Sequence, residues 1–218
     1  MRKLVRGMVD FRNRVRPVAR ETFARLALGQ TPDALFIACS DSRVAINVFA
    51  STEPGDLFVV RNPGNIVSPA AADGFSVADE SEAAAIEFAL AMLKVRDIIV
   101  CGHSSCGAMT GLVRGRDSVP TPHLKSWLRH AERALDRIPD RAAPGAADQL
   151  SQANALLQLE HLRTYSLVER AEKEAGLRLH ALWFDIANAE VLAYDPGQGR
   201  YVPLDEKQAE RLLRPEER

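Results

Sequence analysis

The hydrophobic positions along the chain follow two different periods. Four short apolar runs, "DALFIACS", "DLFVVRN", "DIIVCGH" and "LHALWFDI", predict buried strands, and "AEVLAYD" predicts a further strand. Apolar residues recur at helical spacing over residues 3–28, 80–94, 123–135 and 149–175. Apolar strands that alternate with helices are typical of a parallel sheet covered on both faces. The pattern therefore predicts an α/β fold, with a mainly parallel β-sheet flanked by helices.

The first helical pattern differs from the others because arginines surround its apolar positions. Residues 1–29 are therefore interpreted as an N-terminal helical arm, and Pro17 is expected to break or kink its helix. A stretch rich in Pro, Ala and Gly at residues 139–147 reads as a linker between the last two helices. The whole chain, residues 1–218, is predicted to form a single domain.

The charge and composition of the chain argue against nucleic-acid and membrane partners. The chain has 28 basic and 29 acidic residues, so no global field favours nucleic acid or an anionic membrane. No apolar run approaches the roughly 18 residues that a membrane span requires. The N-terminal stretch lacks the features of a signal peptide, and the three cysteines are compatible with a reducing compartment. We expect a cytoplasmic protein with neither a nucleic-acid nor a membrane partner.

Metal-ligating residue types follow two of the predicted strands. Cys39 ends the first strand, and His103 enters the loop "GHSSCG", which also contains Cys106. Because ligands bind beyond the carboxyl ends of parallel strands, we expect these residues to meet. Two cysteines and one histidine suit zinc, and a set of three leaves the open position of a catalytic site. The sequence therefore predicts a zinc ion bound by Cys39, His103 and Cys106.

Two charged residues accompany the first cysteine in "CSDSR". Asp41 lies close enough to Cys39 to orient a water at the metal or to become a fourth ligand. The guanidinium of Arg43 offers a bidentate partner that can hold Asp41 away from the metal and keep it ionised. Asp41 and Arg43 are therefore candidate catalytic residues.

Three motifs, "CSDSRV", "GDLFVVRNPGN" and "IIVCGHSSCGAM", resemble those of the β-class carbonic anhydrases. The resemblance implies reversible hydration of CO₂ to bicarbonate, one zinc per subunit, and a homodimer that often pairs into a homotetramer. Transferred by position, Cys39, His103 and Cys106 are the zinc ligands, and Asp41 and Arg43 form the catalytic dyad.

The resemblance also extends to the substrate pocket. Gln30, Phe58 and Gly107 match pocket positions, and the first two lie across the subunit interface in relatives. Phe88 occupies a position where plant-type members often carry a tyrosine with a suggested role in proton movement.

Some bacterial members bind bicarbonate at a second site that uses a tryptophan, an arginine and a tyrosine. The matching positions here are Phe36, Arg61 and Phe184, so two of the three polar groups are absent. We therefore expect no regulation by bicarbonate at this place, and an open zinc site in which Asp41 pairs with Arg43.

Two other functions remain open at the level of sequence. The same scaffold can serve a hydrolase of COS or CS₂, the linear sulfur analogues of CO₂. The site can also belong to a zinc-binding module without turnover, although a purely structural ion has no use for Asp41 and Arg43. Cys101 is interpreted as a small apolar residue of a buried strand and not as a ligand.

Overall fold

A computed structural model describes residues 1–213 of the chain. Its six strands form one sheet in the order β2-β1-β3-β4-β5-β6. The strands are β1 (Ala34–Cys39), β2 (Leu57–Asn62), β3 (Asp97–His103), β4 (Arg178–Asp185), β5 (Glu190–Asp195) and β6 (Arg200–Pro203). The first four are parallel, whereas β5 and β6 are antiparallel to their neighbours. The predicted α/β class with a mainly parallel sheet is confirmed.

Helices connect and cover the strands. They are α1 (Arg2–Asp10), α2 (Arg16–Leu26), α3 (Ile46–Phe49), α4 (Glu80–Glu87), α5 (Gly107–Val113), α6 (Pro122–Trp127), α7 (Ala146–Leu162), α8 (Ser166–Glu174) and α9 (Glu206–Leu213). π-Helical segments continue α1 (Phe11–Val15) and α4 (Phe88–Met92), and 3₁₀ segments occur at Arg116–Ser118 and Leu128–Arg137. Over residues 1–213, no helix has both the length and the apolar character needed to cross a membrane.

Strand β1 lies between β2 and β3 and is buried on both faces of the sheet. Leu35 and Ile37 belong to a core that includes residues of α7 and α8, whereas Phe36 and Ala38 belong to a core on the opposite face. Burying one such large apolar side chain stabilises the fold by about 1.5–3 kcal/mol. The cores on the two faces hold β1, and therefore Cys39 at its end, in a fixed position.

The N-terminal arm is helical from α1 to α2, and the regular α-helix is interrupted directly before Pro17, where a break or kink was expected. The chain forms the π-helical segment Phe11–Val15 there, and the N–H of Arg16 donates to the Phe11 carbonyl. Pro17 then lies in the first turn of α2, where a missing N–H costs little. No residue of α1, of the π-helical segment or of α2 is buried. Within this chain, the apolar stripe of the arm therefore remains uncovered.

Other boundaries differ from the sequence prediction. The helix expected over residues 149–175 is two helices, α7 and α8, because the chain adopts an extended conformation at Tyr165, whose hydroxyl donates to the Ser68 carbonyl. The helix expected over residues 123–135 continues in 3₁₀ form after Trp127. Sequence reasoning also missed three short helices and one short strand, namely α3, α5, α9 and β6.

Candidate metal centre

The structure brings Cys39, His103 and Cys106 together at the carboxyl end of the sheet. Cys39 is the last residue of β1, His103 is the last residue of the neighbouring β3, and Cys106 directly precedes α5. One ligand atom from each residue lies within 4.8 Å of the other two, and all three residues are buried. Two soft sulfur donors with one imidazole match the donor preference of zinc.

The histidine ring has a free nitrogen that faces this cluster. Nδ1 of His103 lies 2.9 Å from the Ser104 carbonyl, so Nδ1 carries the proton and Nε2 retains its lone pair. Nε2 is buried and has no hydrogen-bond partner among the described residues. An unpaired buried nitrogen is costly unless another group satisfies it, and a metal ion does so. The residues present therefore fit a zinc ion.

The pKa values of Cys39 and Cys106 are shifted in opposite directions because the two thiols lie side by side. A hydrogen bond with Cys106, followed by contributions from His103 and the Gly64 N–H, lowers the pKa of Cys39 to about 4. The hydrogen bond with Cys39, followed by burial, raises the pKa of Cys106. Two buried sulfur donors repel each other when both are thiolates, and a bound divalent cation would stabilise both negative charges.

Asp41 and Arg43 form a tight pair beside the three donors. The Arg43 side chain donates to Oδ1 of Asp41 at 2.9 Å and to Oδ2 at 2.7 Å, and its backbone N–H also reaches Oδ1. These bonds hold the pKa of Asp41 well below the usual range of an aspartate. Oδ2 of Asp41 lies 4.0 Å from Nε2 of His103. An ionised carboxylate is therefore adjacent to the donor cluster and bound to an arginine.

Arg61, on β2, hydrogen-bonds the backbone of the turn that carries Cys39 and Asp41. Its guanidinium donates to the Cys39 carbonyl at 3.0 and 2.7 Å and to the Asp41 carbonyl at 2.7 Å. Nearby, Phe36 and Phe184 both contact Phe49, at ring centroid distances of 6.2 and 4.6 Å. At the positions that the resemblance aligns with a second bicarbonate site, Arg61 thus hydrogen-bonds backbone carbonyls, and Phe36 and Phe184 pack in an aromatic cluster.

Helix α7 carries buried polar residues that sequence reasoning missed. The hydroxyl of Ser151 accepts from the backbone N–H of His103 and donates to its carbonyl. Asn154 donates to the carbonyl of Gly64, whose own N–H donates to Sγ of Cys39. Gly64 has φ +87°, a conformation that other residues rarely adopt. The available signal was the spacing of Ser151, Asn154, Gln158 and His161 by three, four and three residues, which places these polar side chains on one face of α7.

The predicted pocket residues fall into two groups. Gly107 follows Cys106 and begins α5 beside the donor cluster. Gln30 instead precedes β1, and Phe58 pairs with Leu35 near the start of that strand. Because the strand is about 17 Å long, both lie far from the donor at its opposite end. The structure therefore does not bring Gln30 and Phe58 to the site of their own chain.

Comparison with known proteins agrees with this fold and donor set. The family model described as "Carbonic anhydrase" matches residues 34–191. A carbonic anhydrase from Pseudomonas aeruginosa is 40% identical over 94% of this chain and 93% of that protein. "Beta carbonic anhydrase 1" from Caenorhabditis elegans is 30% identical over 98% of this chain and 92% of that protein.

Solved structures give the same result. The β-carbonic anhydrase CcaA superposes with a TM-score of 0.87 at 36% identity, covering 96% of both chains. A tetrameric β-carbonic anhydrase from Sordaria macrospora has a TM-score of 0.73 at 31% identity, covering 94% of this chain and 98% of that one. The fold and the buried Cys, Cys and His cluster together define an α/β protein with a candidate metal centre. The chain belongs to the β-class carbonic anhydrases.

Proposed function

We propose that the protein catalyses the reversible hydration of CO₂ to bicarbonate, with one zinc ion bound by Cys39, His103 and Cys106. The observation that carries this proposal is the convergence of three buried donor atoms within 4.8 Å. The Nε2 of His103 supports it, because this buried nitrogen has no partner among the described residues and a bound cation would supply one. A zinc ion in such a site acts as a Lewis acid and lowers the pKa of a coordinated water.

The residues of the chain then have distinct tasks. Asp41 is the catalytic acceptor of a hydrogen bond from the reacting water, since its carboxylate is ionised and lies 4.0 Å from Nε2 of His103. Arg43 occupies both carboxylate oxygens and thereby prevents Asp41 from turning into the position that the water needs. The proton that the water loses passes to solvent.

The proposed assembly is a homo-oligomer built from dimers. Gln30 and Phe58 lie too far from Cys39 of their own chain to line its pocket, so the pocket takes them from a second copy. The N-terminal arm supports the same assembly, because its helix leaves large apolar residues exposed, among them Leu4, Met8 and Phe11. Light scattering should give at least twice the 24.0 kDa chain mass. A fully active monomer would contradict the assembly.

Stopped-flow CO₂ hydration, with metal analysis of the same sample, tests the proposed activity. We expect about one zinc per chain and hydration well above the buffer rate. Release of sulfide from COS or CS₂ is measured beside it, since those substrates share the linear shape of CO₂. Stoichiometric zinc without hydration would contradict the proposal and leave a non-catalytic zinc module. Faster turnover of the sulfur compounds would assign the site to them.

A further inference from the structure

Ser105 lies between the proposed metal ligands His103 and Cys106 and has a backbone conformation that serine rarely adopts. Its φ is 55°, in the left-handed region, which is uncommon for residues other than glycine. Such a conformation persists where surrounding groups hold it in place. The groups that hold Ser105 therefore also determine how this loop faces the metal centre.

Two charged side chains bind the backbone of Ser105. Its N–H donates to Oδ1 of Asp148 at 2.6 Å, and its carbonyl accepts from Nη2 of Arg43 at 3.0 Å. Asp148 lies in the first turn of α7, the helix whose Ser151 binds the backbone of His103. One rigid helix thus holds two points of the same loop.

The bond from Arg43 to Ser105 fixes the orientation of the catalytic pair. Every other hydrogen bond of Arg43 goes to Asp41, which lies only two residues away. Among the described residues, the Ser105 carbonyl is therefore the one hydrogen-bond partner that ties the guanidinium to another part of the fold. Without it, the pair can turn as a unit and change the 4.0 Å separation between Asp41 and His103.

We infer that Asp148 is a positioning residue for the Asp41–Arg43 pair and acts through the backbone of Ser105. The inference rests on the proposed function, since it assigns a purpose to the orientation of Asp41. An acidic residue in the first turn of a helix can also act by stabilising the helix dipole. The two roles require different side chains at position 148. Positioning of Ser105 requires an acceptor oxygen, whereas stabilisation of the helix dipole requires a negative charge.

The experiment compares zinc-loaded Asp148→Ala, Asp148→Asn, Arg43→Ala and the double variant Asp148→Ala/Arg43→Ala. Asn keeps the acceptor oxygen and loses the charge. We expect Asp148→Ala to lower kcat/KM for CO₂ hydration about tenfold, with zinc content retained, and Asp148→Asn to stay within about twofold of wild type. In the Arg43→Ala background the loss from Asp148→Ala should vanish, because Asp148 acts through that arginine.

Asp140→Ala is the matched control. Oδ1 of Asp140 accepts the Ala142 N–H at 2.8 Å in an exposed turn, so this variant removes the same kind of bond without touching a bond of the metal-centre loop. It should match wild type in every measurement. Asp148→Ser, whose hydroxyl is shorter than the carboxylate, replaces Asp148→Ala if the alanine variant does not fold, and it should show a loss in the same direction.

The visible absorption spectrum of the Co²⁺-substituted protein gives a readout that does not depend on turnover. We expect Asp148→Ala to change the spectrum and Asp148→Asn to leave it as in wild type. An inactive wild type whose cobalt spectra still follow this pattern would overturn the proposed function and retain the positioning role. Wild-type kinetics and spectrum in Asp148→Ala would overturn the inference. Equal losses in Asp148→Asn and Asp148→Ala, or independent effects in the double variant, would do so as well.

Discussion

An aspartate, an arginine and a histidine lie together at each end of β3, and the two groups behave differently. At the amino end, Arg178 donates to both oxygens of Asp97 at 2.8 Å, and Nε2 of His180 lies 2.7 Å from the same carboxylate. Each charged group faces a partner of opposite charge or a hydrogen-bonding partner. This group is a closed ion-pair network on the rim of the sheet.

The group at the carboxyl end is left incomplete. Arg43 binds Asp41 as tightly as its counterpart does, but Nε2 of His103 stays 4.0 Å from the carboxylate and has no hydrogen-bond partner in the described chain. Cys39 and Cys106 occupy the space beside that nitrogen. The same three residue types thus give a stabilising network where the histidine nitrogen pairs with the carboxylate, and a candidate ligand site where that nitrogen is left without a partner.

Replacing the histidine of each group should separate the two roles most strongly. His103→Ala removes one of three donors, so zinc affinity should fall about 100-fold or more and CO₂ hydration should be lost with it. His180→Ala should retain stoichiometric zinc and lose about 1 kcal/mol of stability, because it removes a hydrogen bond from Asp97. Chelator competition and denaturant unfolding measure the two effects. Zinc loss in the His180 variant would contradict the assignment of a purely stabilising role to the group at the amino end of β3.

The arginines should give the next largest contrast. Arg43→Ala releases the carboxylate of Asp41, and kcat/KM should fall about 100-fold while zinc content is retained. Arg178→Ala should leave kcat/KM within about twofold, because Arg178 lies at the far end of the sheet. Its cost should appear as lower stability. Stopped-flow kinetics on samples of known zinc content checks both variants, and wild-type turnover in Arg43→Ala would remove Arg43 from the mechanism.

The elements that the sequence predicted well are those with a strong local pattern. The buried strands ending at Cys39 and His103 carry continuous apolar runs, and the structure places their ends side by side. The short α3 and α5 were missed because four and seven residues are too few for a helical period to show. Pro17 indicated where the regular α-helix of the arm is interrupted, but the sequence did not show that a π-helical segment keeps the arm helical there.

The roles of the residues that support the site were missed for a different reason. Ser151, Asn154 and Asp148 act through backbone groups distant in sequence, and a backbone partner leaves no mark on residue type. The closed network at Asp97 was equally invisible, because Arg178 and His180 belong to another strand. A sequence motif can identify the proposed metal ligands, whereas the orientation of those ligands depends on tertiary contacts.

A pH series should sharpen the comparison at the amino end. Burial raises the pKa of Asp97, but hydrogen bonds from His180 and Arg178 outweigh it, so the pKa lies below the ordinary value of 3.8. A depressed pKa stabilises the fold at pH values above that ordinary value, and this contribution is lost as pH falls through the folded-state pKa. Asp97→Asn should therefore cost about 1–2 kcal/mol at pH 7 and progressively less below pH 4.

Denaturant unfolding of wild type and Asp97→Asn between pH 3 and 7 measures this difference. Zinc content is determined at each pH, since loss of metal would lower the stability of both proteins. A difference in free energy that is constant over the series would show that Asp97 acts through packing and not through its charge.

The smallest effect is expected at the cysteine that lies on β3 between the two groups. Burial raises the pKa of Cys101 to about 12, so its thiol stays neutral, and its Sγ donates weakly to the Gly102 carbonyl at 3.4 Å. Cys101→Ser replaces that thiol by a hydroxyl in an apolar core, and we expect a loss of about 1 kcal/mol with one zinc per chain retained. Cys39→Ser is the matched control and should lose zinc, because the same substitution then removes a donor. If Cys101→Ser also lost zinc, the ligand set would have to include a third sulfur, and the open position on which the proposed hydration depends would be filled.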